Sequence, residues 1–71
     1  MRGYSRSEIE AAIDEWVVGR NAERNREILY RRLVDGITYE ALAEEFDMSV
    51  RQIKRIIYAA QEIIFKHIRE R

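Results

Sequence analysis

Apolar side chains recur three and four residues apart along this chain, with no alternating β-branched run and no proline to interrupt them. In "SRSEIEAAIDEWVVG", Ile9, Ala12, Ile13, Trp16 and Val17 form one stripe at i, i+3, i+4, i+7 and i+8. Overlapping capping boxes, Ser5 with Glu8 and Ser7 with Glu10, open this first helix, and Gly19 supplies a stop. In "NAERNREILYRRLVDG", Leu29 and Leu33 define the buried face of a second helix, with Ile28 and Val34 at its margins. Asn21 is its candidate N-cap and Gly36 its C′ residue. A short third helix, "YEALAEEF", follows the capping residue Thr38 and packs through Leu42 and Phe46. Ser49 caps a long fourth helix running from about Val50 to about Ile68. The pattern predicts an all-α fold, a small four-helix bundle in a single domain over residues 1–71, without repeat, linker or low-complexity segment.

Only "DMS" separates the third and fourth helices. So short a turn cannot join a long antiparallel hairpin but suits a steep crossing, the helix-turn-helix geometry, expected here over residues 38–58. Ala43 is small where the two helices must approach, and Leu42, Phe46, Met48, Ile53 and Ile56 are apolar where the pair must pack. Asp47 stands where this turn commonly has a left-handed glycine, a conformation that aspartate tolerates better than most residues.

Composition narrows the chemistry. A chain of 71 residues buries only about 60% of its unfolded surface, so its stability margin is thin. It has no cysteine, which removes disulfides, thiol catalysis and cysteine-based zinc sites and fits an intracellular protein. The start "MRGYSRSEIE" lacks the apolar run of a signal peptide and no window approaches a membrane span, so a soluble, cytoplasmic protein is expected. His67 is the sole histidine and is expected at the surface or in packing, while Trp16 is expected in the core. Glu44, Glu45 and Asp47 lie close in sequence, but no nucleophile or cofactor loop accompanies them. A non-enzymatic protein without cofactor or metal is the expectation.

Charge changes the picture more than composition does. The formal net charge is zero, yet residues 1–47 carry a net −4 and residues 48–71 a net +4. The sign turns at Ser49: Glu40, Glu44, Glu45 and Asp47 precede it, and Arg51, Lys54 and Arg55 follow. A dipolar domain of this kind can turn a positive face to phosphate and keep its acidic face away, at the cost of weak binding.

At about 100° per residue, Ile53, Ile56, Ile57, Ala60, Ile63 and Ile64 gather on the packing side of the fourth helix. Val50, Arg51, Lys54, Arg55 and Tyr58 project outward from its N-terminal half, the part that reaches base edges in this motif. Arg51 and Arg55 can each donate two parallel hydrogen bonds to guanine O6 and N7, and Gln52 can pair with adenine in the same manner. Lys54 is a point charge for a base or a phosphate, and Tyr58 serves either groove contact or packing. Thr38 and Ser49 can bond phosphate oxygens beside their caps. Arg31 and Arg32 are candidates for the flanking backbone. Phe65 is a misfit that falls near the basic side; it either folds back onto the first helix or is covered by a second chain.

From about Arg24 to Ile68, "REIL", "DGITYEALAEEF" and the serine-initiated basic helix resemble region 4 of sigma-70 type factors. They are also similar to the small sigma-like regulators of phages and other bacterial mobile elements. The resemblance implies sequence-dependent binding of double-stranded DNA through the fourth helix. Nothing in the chain resembles the sigma region that opens promoter DNA and grips the polymerase core. The implied protein is therefore a free-standing regulator, or one part of a split factor, working as a dimer or beside RNA polymerase. A homodimer is expected through the C-terminal stretch "IIFKHIRER", with Phe65 and Ile68 in the interface. Two other functions fit the same pattern: a module docking on RNA polymerase or another regulator, and a phage DNA-packaging or recombination accessory.

Overall fold

The computed structural model describes residues 5–69, and all its regular structure is helical: α1 (Arg6–Trp16), α2 (Ala22–Leu33), α3 (Tyr39–Glu45) and α4 (Val50–Arg69). Its radius of gyration is 11.6 Å, close to the roughly 11 Å expected of a folded chain this long.

The capping box at Ser5 opens α1. The Glu8 amide donates to Ser5 Oγ (3.2 Å) and the Ser5 amide donates to Glu8 Oε1 (3.0 Å). The second box expected at Ser7 does not form: Ser7 already lies inside the helix, and Glu10 accepts instead from Arg6 Nε at 2.8 Å. Val17 turns extended and ends the helix, Gly19 follows at φ +93°, and Arg26 Nε donates to the Val17 carbonyl (2.8 Å). Asn21 occupies the N-cap position of α2 with left-handed backbone (φ 64°), so its side chain makes no capping bond. Side-chain capping needs an extended backbone at that position.

On α2, Ile28 and Leu29 are fully buried while Leu33 and Val34 are only partly so. Ile28 was expected at the margin. It is buried because α2 packs against α1, α3 and α4 together, so the covered face is wider than one stripe. Gly36 (φ 72°) lets the Ile37 amide return to the Arg31 carbonyl (3.0 Å), satisfying a helix end that would otherwise be orphaned.

Helix α4 runs across the molecule for about 30 Å. It buries Ile53, Ile57, Ile64 and Ile68 against Ile9, Ala12, Ile13, Ile28, Leu29 and Leu42 in one core. Two expectations for this helix need correction. Ile63 is not on the packing side: it is 45% exposed, because it and Ile56 lie roughly 100° round the helix from the centre of the buried stripe. Phe65 and Ile68 are not a free surface. Ile68 is only 6% exposed and Phe65 is half-buried against the core, so neither offers the apolar face expected for a dimer. Glu70 and Arg71, the end of that stretch, lie outside the described residues. Trp16 is half-buried at the core edge and lies flat on His67, ring centroids 3.7 Å apart and planes within 3°. His67 is thus a packing residue.

Candidate nucleic-acid interface

The polar residues singled out in the sequence converge on the corner between α3 and α4. Thr38 caps α3, accepting from the Ala41 amide at 3.1 Å. The helix ends at Phe46, and Asp47 takes the left-handed conformation (φ 55°) that the turn requires of it. That single residue lets the Met48 amide bond back to the Ala43 carbonyl (2.9 Å) and sets the chain in position to start α4.

Ser49 and Gln52 then form a capping box that was not read in the sequence, although S-x-x-Q is its signature. The Gln52 amide donates to Ser49 Oγ (3.1 Å), and Gln52 Oε1 accepts from the Ser49 amide (3.0 Å) and hydroxyl (3.2 Å). This bears on the chemistry of both side chains. The bidentate pairing of Gln52 with adenine needs its amide oxygen, which is here committed to Ser49. Gln52 remains exposed, and reaching a base with both groups requires opening the box.

Val50 does not project outward. It is half-buried against the core, because it sits one helical face away from Arg51 and nearly in line with Ile57 and Ile68. Arg51 and Arg55 are exposed, and no ion pair or hydrogen bond among the described residues engages either guanidinium. Lys54 is half-buried, with Nζ 5.4 Å from the centroid of the Tyr39 ring. Tyr58 is 53% exposed and meets Tyr39 edge to face, centroids 6.2 Å apart at 85°.

Tyr39 is the residue that sequence reasoning missed. Besides Lys54 and Tyr58 it receives Arg32, whose guanidinium carbon lies 4.2 Å from the ring centroid, a cation–π contact. Arg32 also donates to the Ile37 carbonyl through Nη1 (3.0 Å). Hydrogen bonding to Tyr39 pushes the Tyr58 hydroxyl above the ordinary phenol range, with desolvation adding to it. The only trace of this cluster in the sequence is an aromatic residue at the first helical position of α3, which periodicity alone does not mark. Arg31, expected beside Arg32 on phosphate, is instead held by Glu45 (2.9 Å), tying α2 to α3. Both ends are more than a third exposed, so the bridge contributes little stability.

The arrangement presents two free guanidiniums and an ammonium on the first two turns of α4 and a phenol at the start of the third, beside a side-chain-capped helix start. The exposed carboxylates Glu40 and Glu44 line a separate shallow hollow on α3. Among the described residues no cluster of histidine and carboxylate side chains has the geometry of a metal site, and no helix is long and apolar enough to cross a membrane. Comparison with protein-family models, with curated proteins and with solved structures finds no match.

Proposed function

We propose that this chain is a DNA-binding transcription regulator of the sigma region 4 type, a helix-turn-helix protein that reads the major groove with α4. The observation that carries the reading is the state of Arg51 and Arg55: exposed, free of acidic partners, and one turn apart at the start of α4. An arginine already paired with a carboxylate would have to break that pair to bond a guanine; these two have nothing to break. Each presents the planar fork that fits guanine O6 and N7. Lys54 and Arg32, both held over Tyr39, supply charge for phosphate, and the exposed Thr38 and Ser49 stand at the starts of α3 and α4. Tyr58 lies beside Lys54 for a sugar or base-edge contact.

With about three to four phosphates neutralised per chain, log K should fall against log salt with a slope of roughly −3. A duplex-binding titration across salt concentrations tests this. A slope near zero, or no binding at low salt, contradicts the reading. The second reading, a module that docks on RNA polymerase or another regulator, is favoured by the zero net charge. Its sign is a protein complex that survives Arg51→Ala with Arg55→Ala.

A further inference from the structure

The exposed arc of α4 has a second half that shares only Arg55 with the DNA reading. Trp16, Val17 and Val18 at the end of α1 and Ile56, Ala60 and Ile63 of α4 line a shallow hollow. Its rim is apolar: Val18 is 67% exposed and Ile63 45%. Ala59, Glu62, Ile63 and Lys66 line an adjoining hollow along the same face. Arg55 and Glu62 border this surface, and neither is engaged by another described residue. Seven residues apart on one helix, they are about 10 Å apart along its axis and cannot pair with each other.

They can pair between two copies. We propose that two copies of this chain associate through the outer face of α4, antiparallel, about a two-fold axis passing beside Ala59. At 1.5 Å and 100° per residue, Arg55 and Glu62 lie on one flank of Ala59, and Ile56 and Ile63 lie on the other. A two-fold axis perpendicular to antiparallel helices keeps each flank opposite its own kind. Arg55 of one copy then meets Glu62 of the second with about 1.5 Å of axial offset, and Ile56 meets Ile63 with the same offset. The symmetry makes two ion pairs on one side and two isoleucine contacts on the other, with Val18 widening the apolar side. Alanine on the axis lets the backbones approach. Arg51, Lys54 and Tyr58 lie at least about 80° round the helix from Ala59 and stay outside the seam.

The seam from Gln52 to Lys66 is about 21 Å long, which buries less than the roughly 800 Å² per partner of a standard interface. The dimer is accordingly concentration-dependent. Arg55 serves either the seam or a guanine, so the dimer competes with base reading by that residue. The dimer does not rest on DNA binding and is tested without DNA. Sedimentation equilibrium of the full chain, from micromolar to about millimolar, should show a mass rising from 8.5 kDa toward twice that value. Glu62→Arg sets arginine against arginine and should weaken the dimer about tenfold or more; adding Arg55→Glu restores opposite charges and should recover most of the loss. Ile63→Glu should leave only monomer. All three positions are exposed, and circular dichroism verifies that each variant keeps its helices. A single-chain mass throughout overturns the proposal and assigns the groove to another occupant. So does a dimer insensitive to Glu62→Arg and Ile63→Glu, or a swapped pair no tighter than Glu62→Arg alone.

Discussion

Ser49 and Gln52 hold each other across the first turn of α4, the Gln52 amide on the serine hydroxyl and the serine amide on the glutamine oxygen. Both of these backbone donors belong to a helix start that the helix itself cannot satisfy. Ser49→Ala removes one bond and loosens the other, and should cost about 1 kcal/mol, lowering Tm by roughly 4–8 °C in a domain of this size. Gln52→Ala should cost less, since Ser49 still caps. Thermal denaturation of the two variants checks the order, and a larger loss for Gln52→Ala would contradict it.

Asp47 sits at φ 55°, where a Cβ is strained. Asp47→Gly removes that strain and should stabilise the chain by roughly 0.5–1 kcal/mol, whereas Asp47→Val adds β-branching at a left-handed position and should destabilise it by about 1 kcal/mol or more. Urea denaturation measures both. Equal midpoints for the glycine and valine variants would show that the turn does not depend on this backbone.

Trp16 and His67 are stacked at 3.7 Å and pin the C-terminal half of α4 to the end of α1. His67→Ala should cost about 1 kcal/mol and change the emission of Trp16, the sole tryptophan. His67→Phe should recover part of the loss, as the role assigned to the ring is packing.

Tyr58 and Tyr30 both titrate above the ordinary phenol value, Tyr58 chiefly through its hydrogen bond to Tyr39 and Tyr30 chiefly through desolvation. A raised folded value means that the neutral ring is favoured in the fold. The associated stability is fully present below the unfolded value near 10 and is lost as pH rises through the folded values. Denaturation midpoints should therefore fall on the alkaline side of pH 10, and Tyr58→Phe should flatten part of that fall.

The helices and the polar corner were legible because they are local properties. Ser5, Thr38 and Ser49 mark helix starts through bonds to residues three positions on, and Asp47 marks the turn through its own backbone. What the sequence could not show depends on neighbours distant in the chain. Ile28 is fully buried on a helix that packs against three others, and Tyr39 gathers Arg32, Lys54 and Tyr58 from α2 and α4. Arg31 looks like a free cation until Glu45 arrives beside it. Angle on α4 groups side chains but does not say where the covered stripe is centred; the buried set Ile53, Ile57, Ile64 and Ile68 puts that centre roughly 100° from Ile63.

The most direct test of a DNA-reading α4 is selection of duplex DNA from a random pool at near-physiological salt, run with the wild-type chain and with the Arg51→Ala, Arg55→Ala variant. The wild type should enrich a motif containing guanines, and the double variant should keep its helical fold and enrich none. A double variant that selects the same motif, or a wild type that selects nothing while remaining folded, would contradict base reading by these two arginines.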